Sequence, residues 1–364
     1  MDPARVRKLL VIKFFGIGSL VLATPLLRRA REVFPNAEIH LLTLASNKAV
    51  APMLPGLDRV RFIDLGRDVV QAVAAYAGCL RDTFRERYDA VIDMEFYTRA
   101  SAVVSLASWA PVRVGYHSRG VYRGDIPSHR VPFNVYWHVA RNFLNLLAPF
   151  GHPAGDDVPT PALTLPDGRM ADHGLGDRLV VVNVNAGELA YERRWPPDRY
   201  AALAAMLSAT YGLPCAFTGS AGERDYVEAV VAEVNRRGGT AVNLAGRLGL
   251  DEMARLCRAS LLTISNDSGP LHVAAAVGAR VAGFFGPETP VLYGPVGEGH
   301  LVFHTGLDCS PCINVEHGKR LACWHATPLC QEGTTPEAAF AAIRARFGAR
   351  LEQEPGRDDA PGRQ

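Results

Sequence analysis

Short apolar segments typical of buried β-strands alternate with longer helical segments along most of this chain of 364 residues. Strands are predicted over residues 8–15, 37–44 and 89–94, with a glycine turn and an apolar helix after the first of them and another helix over 69–87. Strands that alternate with helices in this way form a parallel sheet covered by helices. The pattern therefore predicts an α/β fold, and the length excludes a small disulfide-linked module.

The alternation starts again after a segment rich in proline, glycine and aspartate. Residues 156–177 contain Pro159, Pro161 and Pro166 and are predicted to link two domains. We predict an N-terminal Rossmann-like domain over 1–155, a second such domain over 178–335, a C-terminal helix over 336–351 and a disordered tail over 352–364. Two such domains are expected to face each other across a central cleft, where ligands bind at the carboxyl ends of the strands.

The charge balance gives no indication of a nucleic-acid partner. Lysine and arginine number 39 against 37 acidic residues, a formal net charge of +2, so an anionic ligand must meet a local patch. The apolar segment 9–27 is interrupted by Lys13, Gly16 and Pro25 and has neither the length of a spanning helix nor the features of a signal peptide. We therefore expect a cytoplasmic protein. Peripheral contact with the inner membrane is compatible with this expectation.

The run from Leu261 to Gly278 carries the most information about function. An apolar strand ends at Ser265, Asp267 or Ser268 is placed to cap a helix, and Pro270 suits the first helical turn. Helix N-termini bind phosphate or diphosphate through backbone N–H groups without a metal, and a glycine such as Gly269 lets the ligand approach the backbone. The alternative is that the two polar residues are caps and nothing more.

Other segments of the second half are expected at the same edge of the sheet. Arg193 and Arg194 follow the strand that ends in Asn183 and are suited to neutralise phosphate. Glu223 has two interpretations, a contact to ribose hydroxyls or the start of a helix, and His272 is either a buried core residue or a ligand contact.

Four elements of the sequence together resemble the motifs of a known family. The matching elements are the Asp267-Ser-Gly-Pro-x-His272 run, the Gly286-Pro287 turn, the Arg193-x-Trp195-Pro196 element and the opening Lys13…Gly18-Ser19…Ala23-Thr24-Pro25. Together they resemble glycosyltransferase family 9, the ADP-heptose:lipopolysaccharide heptosyltransferases, over roughly residues 8–347. The resemblance implies a GT-B fold, an inverting sugar transfer and a nucleotide diphosphate held by the second domain.

The resemblance also implies roles for matched residues. Arg193 would contact phosphate in place of the family's usual lysine, Ser268, Gly269 and His272 would hold the diphosphate, and Asp267 would contact the sugar. In the family an aspartate that follows the turn glycine is the expected base, and Ser19 occupies that position here. A serine hydroxyl cannot take the acceptor proton unaided.

Two carboxylates at the end of a first-half strand are the remaining candidates for the catalytic base. Asp93 and Glu95 lie on the same side of an extended strand. Glu95 is favoured, because Asp93 lies nearer the strand body and suits a structural turn; the alternative is that Glu95 caps a helix or pairs with Arg99.

The glycine turn after the first strand is a candidate phosphate loop. Gly16, Gly18 and Ser19 are placed to approach an acceptor or donor phosphate. A dinucleotide fingerprint would need a third glycine at Val21, so NAD binding is the weaker interpretation.

A basic segment lies between residues 112 and 130. It contains Arg113, Arg119, Arg123 and Arg130, with His117 and His129, against the single acid Asp125. The segment is expected to bind an anionic acceptor such as a phosphorylated, lipid-linked sugar; the alternative is a solvated loop.

Four of the seven cysteines crowd into a short segment. Cys309, Cys312, Cys323 and Cys330 have the number of thiolates that a tetrahedral structural zinc or iron requires. The alternative is a set of reduced thiols, which suits a reducing compartment. Catalysis itself is expected to need no cofactor, because helix N–H groups and arginines neutralise the diphosphate.

The residues and the resemblance together predict a metal-independent glycosyltransferase, for which the resemblance implies the GT-B fold and inversion. It would move a sugar, heptose by the resemblance, from an ADP-linked or similar donor to a lipopolysaccharide-type or other glycan acceptor. Two alternatives stay open: a catalytically inactive nucleotide-sugar binding protein of the same fold, and an NAD-dependent oxidoreductase.

Overall fold

The structure is a computed structural model that describes residues 2–117, 123–168, 173–176, 178–187, 191–313 and 323–352. The chain forms two compact units, each built on a six-stranded parallel sheet. The first unit consists chiefly of Met1–Pro166 with Pro290–Gly297, and the second chiefly of Asp167–Thr289 and Glu298–Cys312 with residues 323–352. The change of unit between Pro166 and Asp167 falls inside the segment that we predicted as a linker.

The first unit contains six parallel strands in the order β3-β2-β1-β4-β5-β6. Its strands are β1 (Lys8–Ile12), β2 (Glu38–Leu44), β3 (Arg59–Ile63), β4 (Ala90–Asp93), β5 (Val112–His117) and β6 (His129–Pro132). Its helices are α1 (Ile17–Leu22), α2 (Thr24–Val33), α3 (Val69–Glu86), α4 (Arg99–Ala107) and α5 (Val139–Asn145).

The second unit repeats this order of strands, β12-β11-β10-β7-β8-β9, counted from its own first strand, β7. Its strands are β7 (Val180–Asn183), β8 (Cys215–Phe217), β9 (Ala241–Asn243), β10 (Leu262–Asn266), β11 (Val281–Phe285) and β12 (Leu301–His304). The helices that follow β7 along the chain are α6 (Pro197–Tyr211), α7 (Arg224–Arg236), α8 (Leu250–Ala259), α9 (Gly269–Ala276), α10 (Pro290–Tyr293), α11 (Leu329–Glu332) and α12 (Pro336–Glu352). Both sheets therefore have the Rossmann strand order, which confirms the predicted α/β fold.

The central strands are buried because helices cover both faces of each sheet. Every residue of β4, β7, β10 and β11 is buried. In the second unit the indole of Trp195 stacks on the ring of Phe284, with 4.1 Å between centroids. This packing fixes the segment after β7 against the central strands, and so fixes the position of the two arginines that precede the tryptophan.

The structure differs from the sequence prediction near the N-terminus. The single apolar helix predicted after the glycine turn is two helices, α1 and α2, which meet at Ala23. Pro25 lies in the first turn of α2. Proline is tolerated there because backbone N–H groups of the first turn have no partner within the helix. In the part of the chain that the structure describes, no helix combines the length and the apolar character needed to cross a membrane.

Candidate active site

Three neighbouring strands of the second sheet end at one edge and carry the predicted donor residues. β10 pairs in parallel with β7 and with β11. The segments that follow these strands begin at Val184, Asp267 and Gly286, so the Asp267-Ser-Gly run and the Gly286-Pro287 turn are adjacent. Carboxyl ends of parallel strands are the usual place for ligands in α/β sheets.

The N-terminus of α9 lies at this edge, and its N-cap side chain makes no bond to the helix. Ser268 occupies this N-cap position with an extended backbone. Its Oγ lies 3.2 Å from Oγ of Ser265 instead. The interpretation of Ser268 as a cap and nothing more is therefore wrong. Ser268 and Gly269 are half-buried, whereas His272, one turn further along, is buried.

Arg193 lies between two buried carboxyl groups. Its Nε is 3.6 Å from Oδ2 of Asp267, and its Nη2 is 3.9 Å from Oε2 of Glu288. The arginine side chain is 20% exposed, whereas the side chains of Asp267 and Glu288 are 6% and 1% exposed. The main chain is held as well, because Gln331 donates a hydrogen bond to the carbonyl of Arg193. A cation is thus fixed at the edge where α9 begins.

Arg194 has different surroundings from its neighbour. Its guanidinium lies over the rings of Tyr191 and Tyr226, 4.6 Å from each centroid, and 3.9 Å from Oε1 of Glu223. The two cation–π contacts hold the group in place. Glu223 also forms a capping box with Ser220. It therefore takes part in starting a helix, which was one of the two roles that the sequence suggested for it.

Glu95 is a buried anchor point for the glycine turn of the first unit. Its Oε1 accepts hydrogen bonds from Nζ of Lys13 at 2.7 Å, from the amide of Phe14 at 2.7 Å and from the amide of Phe15 at 3.2 Å. The side chains of Lys13 and Glu95 are 8% and 4% exposed. The carboxylate therefore holds the segment that leads into Gly16, which has a φ of +89° that favours glycine.

Asp93 forms a second buried ion pair two residues earlier. Its carboxylate accepts bonds from the guanidinium of Arg123, from Oγ of Ser101 at 2.9 Å and from the amide of Glu95 at 3.0 Å. Burial raises the pKa of Asp93, and the charge of Arg123 opposes that rise. This network fits the structural role that the sequence suggested for Asp93.

Three arginines of the basic segment 112–130 make their contacts inside the first unit. Arg123 is 6% exposed and also donates to the carbonyls of Thr98 and Glu95. Arg113 donates to the carbonyls of Ala110 and Ile126, and Arg130 pairs with Asp125. These contacts take Arg123 out of the predicted acceptor patch; Arg119 lies outside the described residues.

All four clustered cysteines line one cavity of the second unit. Cys309, Cys312, Cys323 and Cys330 contribute to its wall together with His325. Burial and the neighbouring thiols raise the pKa of Cys330 to about 11. Within the described ranges, no three histidine, cysteine, aspartate or glutamate side chains are arranged to coordinate one ion.

Four site residues were not predicted from the sequence: Lys13, Glu288, Tyr191 and Tyr226. Glu288 lies in the glycine-proline turn beginning at Gly286, which the sequence analysis had placed in the site. Its position in that turn could have identified it as a site residue. Lys13 belonged to the opening motif, but its partner Glu95 is 82 residues away along the chain. Neither tyrosine carried a local signal.

Comparison with known proteins identifies the family. Residues 79–325 match the sequence model of glycosyltransferase family 9 (heptosyltransferase). Lipooligosaccharide heptosyltransferase 2 of Haemophilus influenzae is 26% identical over 350 residues, which cover 91% of this chain and 97% of that protein. Escherichia coli ADP-heptose LPS heptosyltransferase II superposes with a TM-score of 0.71 at 20% identity, over 94% of this chain and 99% of the other. TibC, an iron-containing dodecameric glycosyltransferase of enterotoxigenic E. coli, has a TM-score of 0.57 at 16% identity, over 94% and 77% of the two chains.

Two units with the Rossmann strand order are the architecture of GT-B glycosyltransferases, and the solved relatives share it. Because the family match spans more than half of the sequence, the chain belongs to glycosyltransferase family 9, the heptosyltransferase family, and is a glycosyltransferase. The resemblance stated from the motifs is thus confirmed. The class of enzyme is not that of an NAD-dependent oxidoreductase.

Replacing Arg193 by alanine is expected to raise the KM for the nucleotide-sugar donor about 10- to 100-fold. A hydrogen bond to a charged group contributes about 1.5–3 kcal/mol, and 1.4 kcal/mol corresponds to tenfold. Arg193→Lys is the matched control, because it keeps the charge and should keep most of the affinity. Donor KM measured at saturating acceptor checks this, and a KM for Arg193→Ala equal to that of the wild type would remove Arg193 from the donor site.

Proposed function

We propose that this glycosyltransferase transfers a heptose from ADP-heptose to a lipopolysaccharide-type acceptor, with inversion at the anomeric carbon. Relatives that carry heptosyltransferase names support the sugar and the acceptor, and the similarity to the E. coli ADP-heptose LPS heptosyltransferase II supports ADP as the nucleotide. The acceptor is lipid-linked, and transfer takes place at the cytoplasmic face of the membrane.

The observation that carries the proposal is the placement of Arg193 at the edge where α9 begins. The departing diphosphate needs hydrogen-bond donors and positive charge. The backbone N–H groups at the start of α9 supply them without a metal ion, together with the guanidinium of Arg193, which Asp267 and Glu288 hold in place. Ser268 and Gly269 approach the phosphates through their backbone. Asp267 and His272 complete the donor site together with Arg194 and Glu223, which are assigned to the nucleoside side.

Proton removal from the acceptor hydroxyl is assigned to Glu95, because the family's aspartate position is Ser19 in this chain. An inverting transfer needs one base on the acceptor side. Gly16, Gly18 and Ser19 form the loop that Glu95 holds, and Asp93 fixes the backbone of Glu95. The base and the loop are therefore positioned by the same buried groups.

A thermal-shift comparison of ADP, UDP, GDP and NAD⁺ tests the nucleotide. A ligand present at about 100 times its Kd adds about 2.7 kcal/mol to the stability of a reversibly unfolding protein. We expect ADP to raise the Tm most, and Arg193→Ala to reduce that rise. Preferential stabilisation by UDP or GDP would contradict the ADP assignment, and preferential stabilisation by NAD⁺ would contradict a sugar-nucleotide site.

We also propose that Cys309, Cys312, Cys323 and Cys330 hold a structural zinc or iron ion. The donor set suits both metals, all four thiols line one cavity, and the related TibC is iron-containing. The described side chains do not converge on one point as they stand, so metal binding would have to draw the thiols together. Four thiolates leave no open coordination position, so the ion would stabilise the fold and take no part in sugar transfer.

Elemental analysis of the purified protein is expected to find about one zinc or iron per chain, because one tetrahedral ion uses four thiolates. Cys312→Ser should lower that content, whereas Cys257→Ser, at a buried cysteine outside the cluster, should not. Metal-free protein with an unchanged Tm in chelator would show that the cysteines are plain thiols.

A further inference from the structure

The outer face of α3 is apolar even though most of the helix is exposed to solvent. Residues 69–80 contain no charged side chain. The helix packs on the first sheet through Ala75, Tyr76 and Leu80, yet Val70 and Val73 on its outer side are 78% and 62% exposed. A surface helix normally presents its polar side chains to water. The first three turns of α3 present apolar side chains to water instead.

Helix α4 continues the apolar surface beside α3. Leu106 and Trp109 are 49% and 76% exposed, and Phe84 near the end of α3 is 41% exposed. The rings of Phe84 and Trp109 meet edge to face, with 6.1 Å between centroids. We call the surface formed by Val70, Val73, Phe84, Leu106 and Trp109 the α3–α4 face.

The conformation of Trp109 is not one that favours tryptophan. Its φ is +54°, in the left-handed region that glycine adopts most easily after the end of a helix. A bulky side chain there is held at a conformational cost. The backbone alone therefore gives no reason for an indole at a position that is three-quarters exposed.

Arginines border the α3–α4 face at both ends. Arg67 precedes α3, Arg81 and Arg85 lie on its last turns, and the guanidinium of Arg87 lies 5.2 Å from the centroid of Phe84. Asp68 caps α3 through the amide of Gln71, Asp82 pairs with Arg81, and Glu86 pairs with Lys8 and Arg59. The arginines that border the face beside these pairs are Arg67, Arg85 and Arg87. The border is complementary to an anionic surface.

We propose that the α3–α4 face docks on an anionic lipid bilayer. Trp109 and the aliphatic side chains enter the headgroup region, where tryptophan is favoured, while the arginines contact lipid phosphates. This docking surface rests on the proposed function in one respect: a lipid-linked acceptor requires the enzyme to reach the membrane. It brings the first unit to that acceptor.

Co-sedimentation of the full chain with vesicles tests the proposal. The vesicles contain phosphatidylcholine and phosphatidylglycerol and no glycolipid. Val73→Glu and Trp109→Ala are each expected to lower the partition coefficient about tenfold, because an apolar anchor is lost and, in the first variant, a charge that the lipids repel is added. Ala232→Glu, at an exposed position of α7 in the second unit, adds the same charge and should bind as the wild type does.

Binding of both face variants at wild-type strength would overturn the proposal, as would equal binding of the wild type to vesicles of phosphatidylcholine alone. Sedimentation equilibrium without lipid identifies the other occupant: a wild-type dimer that Val73→Glu converts to monomer, without vesicle binding, would assign the face to a second copy. Transfer to a delipidated, water-soluble acceptor should be equal in the wild type and Val73→Glu. Absence of transfer in both would count against the proposed function and leave the vesicle result standing.

Discussion

Replacing Arg123 by alanine is expected to lower the free energy of unfolding by about 3–5 kcal/mol, because it leaves the carboxylate of Asp93 buried without its cationic partner. The side chains of Arg123 and Asp93 are each 4% exposed, so water cannot replace the lost charge. The carbonyls of Thr98 and Glu95 lose a donor as well. Chemical denaturation followed by circular dichroism measures the effect.

Arg130→Ala is the matched control, since it removes the same side chain from an exposed ion pair. Arg130 and Asp125 are 43% and 65% exposed, and pairs of this kind contribute about 0–1 kcal/mol. Adding Asp93→Asn to Arg123→Ala should recover part of the loss at neutral pH, because the uncompensated charge is then absent. Equal losses for Arg123→Ala and Arg130→Ala would mean that the buried pair does not stabilise the first unit.

The destabilisation by Arg123→Ala should also depend on pH. Burial already raises the pKa of Asp93, and removing the arginine takes away the group that opposes the rise. A carboxyl whose pKa is higher in the folded protein favours folding when protonated, and that contribution is lost as the pH rises through the folded pKa. The difference in stability between wild type and variant should therefore shrink as the pH is lowered. A difference independent of pH would contradict an ionised Asp93.

Glu95→Gln is expected to lower kcat for sugar transfer by about 10²–10⁴, the usual contribution of a general base, while donor binding is retained. The glutamine oxygen can still accept the bonds that the amides of Phe14 and Phe15 make to Oε1, whereas Lys13 loses its buried anionic partner. The loop therefore keeps part of its support, and the stability of Glu95→Gln is measured beside its activity. Steady-state kinetics at saturating ADP-heptose, together with ADP binding by calorimetry, separates the two effects.

Glu95→Ala and Asp93→Asn serve as controls for that variant. Glu95→Ala removes the anchor of the loop as well as the charge, so its loss of stability measures the structural part. Asp93→Asn alters the neighbouring carboxyl without touching Oε1 of Glu95. Turnover by Glu95→Gln close to that of the wild type would show that Glu95 positions the loop and that another group takes the proton.

Strong local signals predicted most of the fold. Apolar runs bounded by turns located β1, β4, β7 and β10, because buried parallel strands need such runs. β3 was missed because it is an edge strand in which Arg59 and Arg61 interrupt the apolar pattern. β9 has three residues and carries too little periodicity to stand out.

The site could be predicted only where its residues are close in sequence. The Asp267-Ser-Gly-Pro-x-His272 run identified the strand, the turn and the helix start together. The ion pairs of Lys13 with Glu95 and of Asp93 with Arg123 join residues 82 and 30 positions apart. Such pairs depend on strand order, which places β1 beside β4, and no single segment encodes them.

The most direct test of the proposed heptosyl transfer is an assay with ADP-heptose and a lipopolysaccharide core that lacks the heptose. We expect ADP to be released in step with heptose incorporation, and the new linkage to have the anomeric configuration opposite to that of the donor. Glu95→Gln should slow ADP release and heptose incorporation alike, by about 10²–10⁴. Binding of ADP-heptose by the wild-type protein without transfer to any such acceptor would contradict the proposed transfer, and would describe a nucleotide-sugar binding protein built on the same fold.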